Sequence, residues 1–261
     1  TEKAYRISRQ SEDDVLAFIE QYRDTPLVDP FVKHWLSNLA KKGQWQTFLA
    51  NYEALVLGDS NRQIATTKDL ACHYGYALYK NGLQSRAMEA AEKLWLVGFS
   101  QPDTCDPIFQ VWRGAGGITK EIAWDRFALS IKENEKKLSS YLLKFISKKD
   151  KPFASNYRLV HLKPRTIKRY QAFRRDHIRN REVILHGVTR LARTDPEDAL
   201  VTLRRYESMH NFDPDALEDA YARIGVRLAF KSIDLSLMDS LPVNLHDHTS
   251  LVEARIRQSL K

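Results

Sequence analysis

Apolar residues recur along this chain at intervals of three and four, the spacing that places them on one side of an α-helix. The clearest example covers 71–95, where one such pattern ends at Asn81-Gly82 and a second begins after it. Glycine closes a helix at no steric cost, so this dipeptide separates two helices. Small residues early in the second pattern let two helix backbones approach closely. We therefore predict an antiparallel helix pair, the repeating unit of an α-solenoid.

Helix starts elsewhere in the chain are marked by capping residues and prolines. Asp195-Pro196 and Asp213-Pro214 are two such starts, each followed by acidic residues that suit the first turn of a helix. They are separated by one helix plus a turn, which predicts that the two helices pack antiparallel. Each predicted helix has a single apolar face and needs its neighbours to complete a core. The pattern as a whole predicts an all-α solenoid with degenerate repeats.

Composition agrees with this fold class. Only 10 Gly and 9 Pro occur in 261 residues, which suits helices joined by short connections, and the alternation typical of strands is nearly absent. No run of about 18 apolar residues exists, so we predict no membrane span. We predict a single domain over 1–261, with candidate subdivisions near 114–118 and 148–152.

The segment after the helix pair has a distinctive sequence. It contains Leu94-Trp95-Leu96, Gly98, Ser100-Gln101-Pro102-Asp103, Cys105-Asp106, Phe109 and Val111-Trp112-Arg113. This combination resembles a signature in the N-terminal superhelical domain of the soluble lytic murein transglycosylases, periplasmic enzymes that cleave bacterial peptidoglycan. A segment like 249–257 also recurs near the end of that domain. The resemblance implies a right-handed α-superhelix, shaped as a U or a partial ring, and a periplasmic protein whose signal peptide has been removed or left out.

The resemblance also implies an activity for the whole enzyme. Members of that family cleave the β-1,4 bond between N-acetylmuramic acid and N-acetylglucosamine and form 1,6-anhydro products without a cofactor. They use one catalytic Glu in a Glu-Ser dipeptide, followed by a Gly-Leu-Met-Gln segment, in a lysozyme-like domain. Here Glu207-Ser208 lies inside a predicted helix, and the second segment is absent from the chain. We predict no catalytic residue in 1–261, a catalytic domain that lies elsewhere, and no activity of this chain alone.

Three functions remain open from the sequence. The resemblance implies a non-catalytic portion that holds peptidoglycan glycan strands and supports the catalytic domain. The alternative is a free-standing helical-repeat adaptor that binds a protein or peptide in its concave face. A basic helical module for nucleic acid is the third, and we expect no nucleic-acid partner.

Cys72 and Cys105 are the only cysteines of the chain. In a cytosolic protein the default is two reduced, buried thiols, whereas in a periplasmic protein it is a disulfide. A chain that runs up one helix and down the next returns near its start, so the geometry permits a bridge, and the family resemblance supports it. Two cysteines without paired histidines fall short of four zinc ligands, and the cluster at 246–248 has no further ligand at a suitable spacing. We predict no metal site.

The net charge is +8, and the basic residues are densest between 163 and 181. The charge is explained either by a solvated surface or by attraction to a polyanion, such as nucleic acid or peptidoglycan with its peptide carboxylates. In this segment Ile167, Tyr170, Phe173 and Ile178 have near-helical spacing, so we predict that they enter the core and leave the basic side chains on the outer face. The candidate contacts for a polyanion or glycan are Lys168, Arg169, Arg174, Arg175 and Arg179.

Overall fold

The computed structural model describes residues 11–58, 66–231, 236–242, 245 and 248–259, and every regular element in these ranges is helical. The predicted all-α class is confirmed. The chain packs as two compact units, Thr1–Leu138 and Ser139–Lys261. The organisation of 1–261 as a single domain stays a prediction.

The first unit is built from consecutive short helices. They are α1 (Glu12–Gln21), α2 (Val28–Lys41), α3 (Trp45–Tyr52), α4 (Lys68–Lys80), α5 (Gln84–Trp95), α6 (Asp106–Gly114) and α7 (Lys120–Lys132). A π-helical turn, Glu53–Leu57, continues α3, and a 3-10 helix, Asp103–Cys105, leads into α6. The next helix, α8 (Lys136–Leu142), contains the boundary between the two units.

The predicted helix pair is α4 and α5, which pack along each other. Gly82 has a φ of +77° in the turn between them, a conformation that glycine adopts without strain. Small residues hold the backbones close, since Ala77, Ala87 and Ala91 are completely buried. A Cβ on Gly75 would lie 3.7 Å from the Cβ of Ala90, which shows how closely the two helices approach. The structure thus confirms both the pair and the role of its small residues.

The second unit is organised around one central helix, α11. The helices are α9 (Lys151–Leu162), α10 (Tyr170–Phe173), α11 (Ile178–Leu191), α12 (Pro196–Glu207), α13 (Pro214–Lys231), α14 (Ser236–Asp239) and α15 (Thr249–Ser259). A 3-10 helix, Pro164–Lys168, follows α9. Helix α11 packs against α9, α12 and α13, and α13 in turn packs against α15.

The predicted helix starts are observed at the atomic level. The Asp195 side chain accepts a hydrogen bond from the backbone N–H of Asp198, and Asp213 Oδ1 accepts one from Ala216 at 3.0 Å. These bonds satisfy backbone donors that a helix leaves unpaired in its first turn. Helices α12 and α13 pack against each other, as the spacing of the two starts predicted.

A helix that crosses a bilayer needs about 20 consecutive, predominantly apolar residues. None of the described helices combines the length and the apolar character that crossing a membrane requires.

Candidate functional site

The signature segment is attached to the helix pair by a disulfide. Cys72 lies on α4 and Cys105 ends the 3-10 helix before α6; the structure joins their sulfur atoms, with Cα atoms 4.7 Å apart. Both cysteines are completely buried. The bridge links residues 33 positions apart and closes a loop that contains the turn between α4 and α5. The segment therefore has a covalent connection to α4 at the point where α6 begins.

The aromatic residues of the signature form a packed cluster around a buried cation. The Trp95 ring centroid lies 5.2 Å from that of Phe109 and 5.5 Å from that of Trp112. Arg126 of α7 is only 4% exposed, and its guanidinium carbon lies 3.9 Å from the Trp95 ring centroid. A cation over an aromatic face is attracted by the ring quadrupole, more strongly when both are desolvated. Trp95, Phe109 and Trp112 are all buried in the core, so their rings are not accessible to a sugar.

Polar residues of the same segment fasten it to neighbouring backbone and side chains. Gln101 Nε2 donates to the carbonyl of Leu94 at 2.6 Å, and Thr104 Oγ1 donates to Asp69 Oδ1 at 2.8 Å. Each bond joins the loop to a helix of the pair. The signature is accordingly a structural brace for α4, α5 and α6.

The basic segment of the second unit is the other candidate site. Two apolar side chains anchor it, because Ile167 is completely buried and Phe173 is 2% exposed. The Tyr206 hydroxyl of α12 donates to the Ile167 carbonyl at 2.6 Å. Asn180 Nδ2 donates to the Arg175 carbonyl at 2.9 Å and secures the other end. The segment is thus fixed from inside while its basic side chains face outward.

The structure corrects the predicted core of this segment. Its near-helical spacing does not correspond to one helix, because the chain forms a 3-10 helix, one short α-helix and then an extended residue, His177, before α11. Ile178 consequently lies at the first position of α11 and is 63% exposed, so its predicted place in the core is wrong. Tyr170 is only half-buried. The interruption arises where Phe153 stacks on His177, with ring centroids 4.5 Å apart.

The five candidate contact residues differ in their surroundings. Lys168 Nζ lies 2.8 Å from Asp198 Oδ1, and its hydrogen bond to that carboxylate raises the Lys168 pKa. Arg179 is half-buried. Arg169, Arg174 and Arg175 are exposed and have no carboxylate partner within the described residues. Only these last three present an uncompensated charge to solvent.

One further cation adjoins this surface and was missed from sequence. Arg205 of α12 lies with its guanidinium carbon 3.8 Å from the ring centroid of Tyr170. Its place depends on the packing of α12 beside the basic segment, which no local pattern signals. We call Arg169, Arg174, Arg175 and Arg205 the basic surface.

Removing the hydroxyl that anchors the basic segment should destabilise the second unit. Tyr206→Phe leaves the buried Ile167 carbonyl without this partner, and we expect a loss of about 1–2 kcal/mol in the free energy of unfolding. Urea denaturation followed by circular dichroism measures the loss. Tyr141→Phe is the matched control, because its ring is half exposed, and it should change stability by less than about 0.5 kcal/mol. Equal effects of the two substitutions would contradict the anchoring role.

The Glu-Ser dipeptide lies on the surface of the second unit. Glu207 and Ser208 are exposed at the C-terminal end of α12, and the Tyr221 hydroxyl donates a hydrogen bond to Glu207 Oε2. Burial first and this contact second raise the Tyr221 pKa. The Glu207 carboxylate therefore makes a surface contact between α12 and α13. It lacks the buried surroundings that raise the pKa of a general acid.

The described residues hold no group of three or more His, Cys, Asp or Glu side chains arranged to bind a metal ion. The cluster at 246–248 lies mostly outside them, since only His248 is described.

Comparison with known proteins relates the whole chain to one kind of enzyme. The soluble lytic murein transglycosylase of Escherichia coli K12 is 23% identical over 268 residues, which cover 97% of this chain and 39% of that protein. The lytic transglycosylase Slt of Pseudomonas aeruginosa is 31% identical, with a TM-score of 0.79, over 98% of this chain and 40% of its own. The 70 kDa soluble lytic transglycosylase of Escherichia coli, 22% identical with a TM-score of 0.74, shares the fold.

These matches confirm the predicted resemblance and the superhelical fold class. Nearly the whole of this chain aligns with these curated relatives, but it spans only about two-fifths of their length. No family model matches the sequence.

Proposed function

Because this chain resembles soluble lytic murein transglycosylases along nearly its whole length, we propose that it is the superhelical, non-catalytic portion of such an enzyme. In this proposal the parent enzyme cleaves the bond between N-acetylmuramic acid and N-acetylglucosamine and forms 1,6-anhydro products. The superhelical portion holds glycan strands near the active site and supports the catalytic domain. The observation that carries the proposal is the 31% identity and TM-score of 0.79 to the Pseudomonas aeruginosa enzyme over 98% of this chain.

The basic surface supports a role in holding strands. Arg169, Arg174 and Arg175 are exposed without carboxylate partners among the described residues, and Arg205 lies beside them on Tyr170. Peptidoglycan carries carboxylates on its peptides, and a concentration of one sign of charge steers an oppositely charged polymer towards the surface. The chain as a whole carries a net charge of +8, which adds to this attraction.

The disulfide supports a periplasmic location. Structural disulfides persist in oxidising compartments such as the bacterial periplasm and are rare in the cytosol. Cys72 and Cys105 are completely buried as a pair, so the bridge belongs to the core of the first unit. The same argument disfavours a cytosolic adaptor or a nucleic-acid module.

A sedimentation assay with purified peptidoglycan sacculi tests the proposal. We expect saturable binding that weakens steeply as salt rises, because screening shortens the reach of exposed charges to about 8 Å at physiological ionic strength. Arg174→Glu with Arg175→Glu should weaken binding about tenfold at low salt. The matched control is Lys41→Glu with Lys42→Glu, two exposed residues at the end of α2, which should have a much smaller effect. Binding that does not change with salt concentration, or equal effects of the two double substitutions, would contradict the role of the basic surface.

The same samples test the absence of a catalytic residue. No 1,6-anhydromuropeptides should appear in the supernatant, and Glu207→Gln should leave sacculus binding unchanged, since Glu207 contacts Tyr221 at a helix end. Product release that disappears with Glu207→Gln would overturn the non-catalytic assignment. Failure of the wild-type protein to bind sacculi would favour the adaptor.

A further inference from the structure

A cavity of about 370 Å³ lies within the second unit, between α11, α13 and the start of α15. Its polar lining includes Thr189, Arg193, Asp219, Arg223, Arg227 and His248. None of these residues belongs to the basic surface. The size falls within the range of sites that enclose small ligands.

The geometry of α13 explains why the charges collect here. Asp219, Arg223 and Arg227 are four residues apart in succession, so they form one stripe along the helix. Arg193 follows the end of α11, which packs against α13. The third wall is held in place by Gly225, where an added Cβ would lie 2.5 Å from Leu251 Cδ2 of α15. This close approach positions the first turn of α15 beside the arginines.

The cavity carries more positive than negative charge. Arg223 Nε lies 2.8 Å from Asp219 Oδ2, so these two charges compensate each other. Arg193 and Arg227 have no carboxylate partner in the part of the chain that the structure describes. Two guanidinium groups without a carboxylate partner among the described residues line one cavity, and together they attract an anion.

Further features of the lining suit a ligand with hydrogen-bonding groups. His248 lines the cavity and adds an imidazole ring, whose nitrogens can donate or accept a hydrogen bond. The positive end of the α15 dipole adjoins the cavity at Ser250. Ala222 and Val226 contribute an apolar patch on the same wall.

We propose that this cavity binds the free carboxylate of a short peptide. The guanidinium groups of Arg193 and Arg227 bind the carboxylate, since the planar arginine fork matches its two oxygens. Ala222 and Val226 accommodate a small side chain, and Asp219 accepts a hydrogen bond from a peptide N–H. The carboxylate of Asp219 disfavours a dianion such as phosphate at the same position. The biological setting rests on the proposed function, because peptidoglycan strands carry such peptides. Peptide binding by the cavity can be tested without assuming that function.

Isothermal titration calorimetry with N-acetyl-alanyl-alanine, in its L,L and D,D forms, tests this proposal on the full chain. We expect saturable binding of at least one form and a loss of about tenfold or more when its carboxylate is replaced by an amide. Arg193→Gln and Arg227→Gln should each reduce the affinity about tenfold. Both side chains are exposed, Arg227 on α13 and Arg193 just after the end of α11, so the folded state should persist, which circular dichroism checks.

Arg174→Gln is the matched control, because it removes an exposed arginine outside the cavity and should leave peptide binding unchanged. Absence of saturable binding by both forms, equal affinity for the amide, or tighter binding of inorganic phosphate would overturn the proposal. The sacculus assay depends on Arg174 and Arg175, whereas peptide binding depends on Arg193 and Arg227. The two proposals can therefore fail separately.

Discussion

Replacing Cys72 and Cys105 together by Ala should lower the free energy of unfolding of the first unit by about 3–4 kcal/mol. The bridge closes a loop between residues 33 positions apart, and in the chain-entropy model a loop of this length restricts the unfolded chain by that amount. For a unit of this size the melting temperature should fall by about 10 °C. Differential scanning calorimetry measures both quantities.

A reducing agent provides the control for the cysteine substitutions. Dithiothreitol should lower the melting temperature of the wild-type protein by a similar amount and leave the double variant unchanged. Thiol titration of the unfolded, unreduced protein should find almost no free thiol. Two free thiols per chain would contradict both the bridge and the proposed periplasmic location.

Gly98→Ala should destabilise the first unit by about 2–3 kcal/mol. A Cβ at this buried position would lie 2.7 Å from the backbone oxygen of Leu129 and 2.5 Å from Glu133 Cγ. The Glu133 side chain can move, but the Leu129 carbonyl cannot, because it accepts the N–H of Glu133 at the end of α7. Overpacking a well-filled site forces backbone shifts that cost about 1–3 kcal/mol. Urea denaturation of the variant measures the effect.

Gly114→Ala is the matched control for this substitution. Gly114 ends α6, and an added Cβ there would meet nothing within 4 Å. Where any residue can adopt the backbone conformation of a glycine, replacing that glycine by Ala stabilises the protein by about 0.4–1 kcal/mol. The reason is that the unfolded chain becomes less flexible. If Gly98→Ala were as well tolerated as Gly114→Ala, the loop after α5 could not rest on α7 in the way described.

Outside the basic segment, the local sequence was sufficient for the helix pair and for the starts of α12 and α13. Caps such as Asp195 and Asp213 act through hydrogen bonds to residues three positions ahead, so a short window contains all the information. The helix pair of α4 and α5 was predictable for the same reason, because small residues and a turn glycine specify close packing of adjacent helices. The fold class follows from the accumulation of such short-range signals.

The signature was recognisable from sequence, but the structural role of its residues was not. Trp95 contacts Arg126 of α7, and Gly98 lies against Leu129 of the same helix. These contacts join parts of the chain that no local period relates. The resemblance predicted an enzyme family, whereas the geometry explains the motif as a brace for α4, α5 and α6 that also packs against α7.

Tertiary structure alone decided which charges remain available. The sequence identifies a dense basic segment, yet Asp198 of α12 neutralises Lys168 and an interruption before α11 exposes Ile178. Likewise Arg193 and Arg227 are 34 positions apart along the chain and line one cavity because α11 packs on α13. Helix formation depends mainly on neighbours three and four residues away, so local sequence predicted the helix pair and the capped helices. The electrostatic partners of a surface residue depend on which helices pack together, and that packing is set by the whole fold.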